Sequence, residues 1–367
     1  MFSPYDLSFP QLQALLEEWG EPPFRARQVW EWLYVHLADG WEQMTNLPRT
    51  LRERLSAHLP LVSPRVLASQ VSSDGLTRKN LLQLADGETI ETVLMRYERR
   101  HTACISTQVG CPIGCLFCAT GQAGFRRNLS AGEIVAQALH FARLLRAEGN
   151  VPADRSLSNV VLMGMGEPLL NYEATLEAVR RLSDPQGFRL GQRHITLSTV
   201  GIVPGIDRLA KETSPGGGPL QITLAISLHA ATDELRNRLV PINRRYGLDA
   251  LFAACRRYAV RTGRRISFEW VLIAGVNDSP AQASALADRL QGLIAHVNLI
   301  PLNPTPAYEG KPPSPQAVAA FTAVLERRGI PFTVRVRRGI EIQAGCGQLR
   351  GTVPQDRRGE IRRAREK

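Results

Sequence analysis

Three cysteines within eight residues are the part of this sequence best suited to chemistry. Cys111, Cys115 and Cys118 lie in the stretch CPIGCLFCAT with the spacing C-x3-C-x2-C, and Cys104 stands seven residues upstream. Thiolates on one loop can hold three irons of a 4Fe-4S cluster and leave the fourth iron open, because soft sulfur suits iron-sulfur and zinc centres. A structural zinc site requires a fourth protein ligand, and no nearby histidine or cysteine supplies one convincingly.

The composition is that of an ordinary globular protein, and it predicts a cytoplasmic location. No apolar run approaches the roughly 20 residues that cross a bilayer. The first twenty residues, MFSPYDLSFPQLQALLEEWG, lack a basic region, an apolar segment and a small-residue cleavage site. In a reducing compartment, closely spaced cysteines are more often metal ligands or redox groups than structural disulfides. We therefore expect chemistry at the cysteine loop and no membrane contact.

The net charge of +11 is carried by arginine clusters such as RVRRG at 335–339 and the tail QDRRGEIRRAREK. Lysine and arginine neutralise phosphates and release counterions, so this balance predicts a polyanionic partner. A solvated, arginine-rich surface is the alternative interpretation of charge alone.

The elements that must position these cysteines follow from hydrophobic periodicity. Apolar residues at helical spacing predict an N-terminal helical accessory domain over residues 1–60, and short β-like runs predict an antiparallel extension over 61–100. Strand-like and helix-like segments then alternate through six βα units, which predicts an α/β core over 101–350, followed by a basic C-terminal tail over 351–367. Since no glycine-rich dinucleotide fingerprint is present, we expect a partial (β/α)6 barrel. The cysteine loop follows its first strand, where functional groups gather in such folds.

The cysteine loop resembles the signature of the radical S-adenosylmethionine (SAM) superfamily. The longer stretch CISTQVGCPIGCLFCATGQAGFRRNLSAGEI is similar to the RlmN family of RNA adenine carbon-2 methyltransferases, and the likeness extends from the helical N-terminus to AGCGQLRG. The resemblance implies a radical SAM barrel with one 4Fe-4S cluster on the three loop cysteines, and SAM as cofactor. The family match assigns the SAM contacts to residues at successive strand ends: Gly166, Glu167, Ser198, Ser227, Leu228, His229 and Asn303.

The resemblance also implies why two further cysteines are needed. An adenine ring carbon between two nitrogens is too electron-poor to attack a sulfonium methyl group. In the family, one SAM methylates Cys346, and a second SAM is cleaved to a radical that activates this methyl group for addition to carbon 2. Glu91 is assigned as the base that then removes the carbon 2 proton, and Cys104 resolves the adduct by forming a transient disulfide with Cys346. Two SAM molecules are thus consumed per methylation.

The family resemblance implies two substrates: an adenosine in the peptidyl transferase centre of 23S rRNA and the adenosine 3′ of the anticodon in certain tRNAs. It further implies an electron donor such as flavodoxin or ferredoxin, and we expect a monomer. We expect the helical domain and the arginines near 335–338 to hold the RNA.

Three other functions remain open from the sequence. The nearest is the carbon-8 rRNA methyltransferase relative that confers antibiotic resistance, which shares both extra cysteines. A radical SAM enzyme acting on a small molecule or peptide would not need Cys346. A zinc-stabilised RNA-binding module would lack catalysis. The sixth cysteine, Cys255, lies on the apolar face of LDALFAACRRYAV, where we expect only a buried small side chain.

Overall fold

The protein is described here from a computed structural model that covers residues 3–149, 157–335 and 338–351. Apart from its first residue, the predicted basic tail over 351–367 lies outside the described residues. The helices are α1 (Phe9–Glu18), α2 (Phe24–Tyr34), α3 (Arg49–His58), α4 (Ala119–Gln122), α5 (Ala131–Ala147), α6 (Tyr172–Leu182), α7 (Val203–Leu209), α8 (Asp233–Leu239), α9 (Leu248–Thr262), α10 (Pro280–Leu290) and α11 (Pro315–Arg327). The strands are β1 (Arg65–Val71), β2 (Thr77–Gln83), β3 (Thr89–Tyr97), β4 (Arg100–Cys104), β5 (Gln108–Gly110), β6 (Phe125–Asn128), β7 (Asn159–Leu162), β8 (Ile195–Thr199), β9 (Thr223–Ser227), β10 (Ile266–Leu272), β11 (Ala295–Pro301) and β12 (Phe332–Val334).

The N-terminal helices form a small apolar unit that packs on the rest of the chain. Leu12 and Leu16 of α1 are buried together with Val29 and Leu33 of α2, because these positions recur at helical spacing. The indole N–H of Trp30 donates to Asp184 at 2.6 Å, just beyond α6. The predicted helical region is therefore confirmed as a fold element and is attached to the core by a specific hydrogen bond.

Ten strands form one continuous sheet in the order β1-β2-β3-β4-β7-β8-β9-β10-β11-β12. Strands β1 to β4 pair antiparallel, and from β4 to β12 the pairing is parallel. In the described residues β1 and β12 remain at opposite edges, so the predicted partial barrel with a β extension is confirmed. The extension is not a separate sheet, because β4 pairs with β3 on one side and β7 on the other. The domain boundaries themselves stay predictions.

Two parts of the sheet architecture were missed by the sequence analysis. The alternating pattern indicates one strand over TACISTQV, residues 102–109, as the first strand of the core. In the structure β4 ends at Cys104, and the chain continues as β5, which pairs with β6 in a separate two-stranded sheet. The short edge strand β12 was also missed, since three residues carry too little periodicity to indicate a strand. In the part of the chain that the structure describes, no helix is long and apolar enough to cross a membrane.

Candidate active site

A cavity of about 190 Å³ lies at the carboxyl ends of the parallel strands. It brings together side chains from the cysteine loop, from the ends of six strands (β4, β7, β8, β9, β10 and β11) and from the C-terminal segment. Most of the predicted site residues line this cavity: Cys104, Cys111, Cys115, Cys118, Gly166, Glu167, Ser198, Ser227, His229, Asn303 and Cys346. The structure therefore places at one site residues that are separated by more than two hundred positions in the sequence. Leu228 and Glu91 lie outside its lining.

The cysteine loop is held by backbone hydrogen bonds from both sides. Cys111 donates its N–H to Gly124 at 3.0 Å, and Leu116 donates to Leu239 at the end of α8 at 3.2 Å. Burial raises the pKa of Cys111 to about 12. A hydrogen bond from the backbone of Ile113 opposes this shift, and the nearby charges of Cys118 and Glu167 add to it. Burial and the other two loop thiols raise the pKa of Cys115 as well. Burial and the mutual repulsion of the thiolates disfavour ionisation of these groups, so they lose their protons when a metal binds in place of the protons.

The donor set of the loop fits a cluster. Among the described residues, no three His, Cys, Asp or Glu side chains converge on a point suited to a single ion. A cluster has a different requirement, because each of its thiolate ligands binds a different iron. The three loop thiols are free and line the cavity, so the residues present fit a 4Fe-4S group.

Arg236 is a buried residue beside the site that the sequence pattern did not indicate. It is fully buried and donates to the backbone carbonyls of Leu228 at 3.0 Å and Ser227 at 3.1 Å, and to the side chain of Asn243 at 2.8 Å. Burial lowers the pKa of Arg236 to about 10, and the Cys115 charge opposes this shift. The guanidinium thus fixes the backbone of residues 227–229, which we name the SLH segment, and places a buried positive charge near the cysteine loop. In the sequence, DELRNRL resembles an exposed helix and gives no signal for this role.

Gly166 and Glu167 form the next part of the cavity wall. Gly166 has φ +102°, and a Cβ there would lie 2.6 Å from Cβ of Gln108, so only glycine fits. The Glu167 carboxylate accepts the N–H groups of Leu169 at 3.0 Å and Val200 at 2.8 Å. Burial raises its pKa to about 7, although these hydrogen bonds oppose the shift. Glu167 therefore joins two neighbouring strand ends and brings a titratable group to the cavity.

The remaining predicted contacts are polar groups at three further strand ends. The hydroxyls of Ser198 and Ser227 lie 3.3 Å apart. His229 has φ 63°, and its Nδ1 accepts the N–H of Val271 at 3.0 Å. Burial lowers the pKa of His229 to about 3, so its ring is neutral with the proton on Nε2. Leu228 is buried and is connected to the site through its backbone, since its N–H donates to Glu269 at 3.0 Å and its carbonyl accepts from Arg236.

Asn303 supplies the clearest sign of an unfilled binding role. Its side-chain N–H donates to the carbonyl of Cys346 at 3.1 Å, while its Oδ1 is buried without a hydrogen-bond partner among the described residues. Buried acceptors are normally satisfied. Since Asn303 lines the cavity, its free oxygen fits the polar part of a bound ligand.

Cys104 and Cys346 meet in the same cavity. Both thiols are free. Burial chiefly, and the neighbouring Cys346 in second place, raise the pKa of Cys104 to about 12. All six cysteines lie in the described residues, and Cys346 is the only one of them that is exposed as a residue. Its thiol is nevertheless surrounded by protein atoms. This crowding raises the pKa of Cys346, and the charge of Arg335 opposes the shift.

Cys346 is carried by a segment that we name the C-terminal strap, residues 338–351. The strap is hydrogen-bonded to the cysteine loop, where Ala119 donates to Gly347 at 2.7 Å and the Thr120 hydroxyl donates to Leu349 at 2.6 Å. The side chain of Gln348 donates to Pro304 beyond β11 at 3.0 Å. Gly347 has φ +83°, a conformation that favours glycine at the position after Cys346. The strap therefore holds Cys346 against the loop that carries the other thiols.

Glu91 lies beneath the strap. The carboxylate is buried and forms an ion pair with Lys79 at 2.9 Å. Its second oxygen accepts the backbone N–H groups of Arg350 at 2.6 Å and Gly351 at 3.2 Å. The predicted base is thus placed beside the site with both oxygens engaged, and Lys79 is a further residue that the sequence analysis did not single out.

Comparison with known proteins identifies the family. Residues 5–60 match the family described as ribosomal RNA large subunit methyltransferase N-terminal domain, and residues 105–286 match the radical SAM superfamily. The chain is 52% identical to a probable dual-specificity RNA methyltransferase RlmN of Chloroflexus aurantiacus, over 95% of this chain and 92% of that protein. It is 53% identical to the dual-specificity RNA methyltransferase RlmN 1 of Myxococcus xanthus, over 95% and 94%.

The chain belongs to the RlmN family of radical SAM RNA methyltransferases. A crystal structure of a radical SAM methyltransferase from Sphaerobacter thermophilus has the same fold, with a TM-score of 0.90, 51% identity, and coverage of 96% of this chain and all of that one. The protein is therefore a SAM-dependent enzyme that uses an iron-sulfur cluster and acts on RNA. Membership decides against the zinc-stabilised module and against a radical SAM enzyme of small molecules or peptides.

Proposed function

We propose that this enzyme methylates carbon 2 of an adenosine in the peptidyl transferase centre of 23S rRNA and of the adenosine 3′ of the anticodon in tRNAs. The observation that carries the proposal is the meeting of Cys104 and Cys346 in the cavity that the cysteine loop also lines. Ordinary methyl transfer needs neither thiol, whereas a methyl group delivered through a covalent protein adduct needs both. Relatives described as dual-specificity RNA methyltransferases support two RNA substrates.

Cys111, Cys115 and Cys118 would hold three irons of the cluster. The residues that would contact SAM are Gly166, Glu167, Ser198, Ser227, Leu228, His229 and Asn303, Leu228 through its backbone. When bound, the cluster and two SAM molecules supply the methyl group and the radical that activates it. The buried oxygen of Asn303 and the neutral ring of His229 are suited to orient a polar ligand, since neither carries a competing charge.

The chain's own residues perform the remaining steps. The thiolate of Cys346 accepts the methyl group. After this methyl group gives one hydrogen atom to the radical derived from SAM, its carbon bonds to carbon 2 of adenine. Glu91 then takes the carbon 2 proton of the covalent adduct as one electron leaves it, an electron that the cluster would take up. Cys104 attacks the sulfur of Cys346, so that a sulfur-sulfur bond forms and the bond between Cys346 and the product carbon breaks, with its electron pair remaining on carbon. A proton completes the methyl group, and the disulfide is reduced before the next turnover.

The substrate adenosine must leave its stack to enter a cavity of this kind. We infer that the helices at residues 9–58 and the basic residues Arg335 and Arg338 hold the surrounding phosphates. The predicted contribution of Arg337 and of the basic tail falls on residues outside the described structure. An electron donor such as flavodoxin or ferredoxin would reduce the cluster, and the enzyme would act as a monomer.

The test is to reconstitute the protein without oxygen and incubate it with SAM, a reductant and an rRNA fragment or tRNA. Mass spectrometry of the nucleosides should detect 2-methyladenosine. Cys346→Ala should abolish methylation, and Cys104→Ala should accumulate a protein-RNA crosslink. Methylation at carbon 8 would instead assign the enzyme to the antibiotic-resistance relatives. Absence of the crosslink from Cys104→Ala would refute the resolving role of Cys104.

A further inference from the structure

Lys79 is the only lysine of β2, and its side chain points to the same buried corner as Glu91 of β3. The side chains of Lys79 and Glu91 are 8% and 7% exposed, and their charged atoms lie 2.9 Å apart. The same ammonium donates to the carbonyl of Gln343 at 3.3 Å. Gln343 belongs to the strap and has φ 54°, a conformation that is uncommon for a residue other than glycine. One cation thus contacts both the proposed base and the segment that carries Cys346.

The carboxylate of Glu91 faces the strap from below, and its other oxygen accepts two backbone N–H groups at Arg350 and Gly351. The strap is therefore attached to this ion pair on both sides of Cys346, at Gln343 and at Arg350. An uncompensated carboxylate at this depth would be strongly disfavoured, because removing one partner of a buried pair leaves an unpaired charge. The ammonium of Lys79 supplies the compensation in the described part of the chain.

We propose that Lys79 is a positioning residue that holds Glu91 as an anion in register with the Cys346 strap, ready for the carbon 2 proton of the RNA adduct. The inference rests on the proposed function, in which Glu91 is the base. When Glu91 accepts the proton, its charge is lost and its ion pair with Lys79 ends. The bonds from Arg350 and Gly351 to its oxygen weaken at the same step, since hydrogen bonds to ionised acceptors are the stronger ones. Proton transfer would thus loosen the strap when Cys104 must reach the sulfur of Cys346.

The experiment compares Lys79→Met with Lys79→Arg in the cluster-loaded, full-length enzyme, with Cys104 intact. Lys79→Met should lower the rate of RNA methylation about tenfold to hundredfold, a part of the roughly 100- to 10,000-fold that a general base contributes. Protein-RNA crosslink should accumulate on denaturing gels, while the methyl content of Cys346, measured by mass spectrometry, stays at the wild-type level. Lys79→Arg should recover most of the rate. Arg78→Met is the matched control, since Arg78 is the preceding residue of β2 and pairs with Glu148 instead.

Two further variants separate this inference from the proposed function. Glu91→Gln should accumulate the crosslink, and the double variant Lys79→Met with Glu91→Gln should accumulate no more than Glu91→Gln alone, because the two residues act as a unit. The double variant also removes both buried charges, so it checks that the effect is not a failure to fold. If Glu91→Gln gives no crosslink, the role of Glu91 as base is overturned. If Glu91→Gln gives crosslink but Lys79→Met does not, or if Lys79→Met lowers the methyl content of Cys346, only the role of Lys79 is overturned.

Discussion

Replacing Arg236 by methionine tests whether a buried arginine supports the ligand wall of the site. The guanidinium donates to the carbonyls of Leu228 and Ser227 and to the side chain of Asn243. Methionine keeps much of the side-chain volume but removes all of these hydrogen bonds. Each buried acceptor left unsatisfied costs about 1–3 kcal/mol. Arg236 also donates to the carbonyl of Val200, whereas the carbonyl of Leu228 keeps the N–H of Ala230 as a donor. With three acceptors left unsatisfied and partial relaxation, we expect the folded state to lose about 3–5 kcal/mol.

The assay is thermal unfolding of the cluster-loaded enzyme with and without SAM. The unfolding entropy of a chain of 367 residues is about 0.8 kcal/mol/K. Arg236→Met should therefore lower the Tm by roughly 4–6 °C. It should also weaken the stabilisation by added SAM, because the Ser227 to His229 backbone is no longer fixed. Arg238→Met is the matched control, since Arg238 lies on the same helix but is exposed. A Tm for Arg236→Met within about 1 °C of the Arg238→Met value would refute this reasoning.

The remaining predictions use the same structure. Burial raises the pKa of Glu167 from 4.5 to about 7 in the folded chain. Between these two pH values the folded carboxyl must lose a proton that the unfolded carboxyl has already lost, so the stability of wild type relative to Glu167→Gln should fall as pH rises. A Tm difference between the two proteins that does not change with pH would contradict this prediction. Cys115→Ala should abolish the absorption band of the cluster, while Cys255→Ala, a change at a buried position on α9, should leave iron and sulfide content unchanged. Trp30→Phe removes the 2.6 Å hydrogen bond to Asp184, at a cost of about 1.5–3 kcal/mol. Limited proteolysis should therefore cut the N-terminal helices of this variant sooner than those of wild type. Equal cleavage rates would show that apolar packing alone holds these helices on the core.

The sequence by itself determined the elements and the cysteine loop. Periodicity reports which face of a helix or strand is buried, so it predicted α1 to α3, the antiparallel meander and the alternating core. The spacing of Cys111, Cys115 and Cys118 indicated cluster chemistry because all three ligands lie on one short loop. Resemblance then supplied the roles of Cys104 and Cys346, which no local pattern connects.

The tertiary structure alone decided which distant groups meet. Arg236 appears in an ordinary polar helix, and its burial under the SLH segment depends on how α8 packs against β9. Lys79 and Glu91 lie on neighbouring strands, but only the three-dimensional structure shows that they form a buried ion pair and that the strap is hydrogen-bonded to it. Cys346 reaches Cys104 because the strap is bonded to the cysteine loop and to the β11 end. Such contacts depend on long-range packing, and periodicity within a single element carries no information about it.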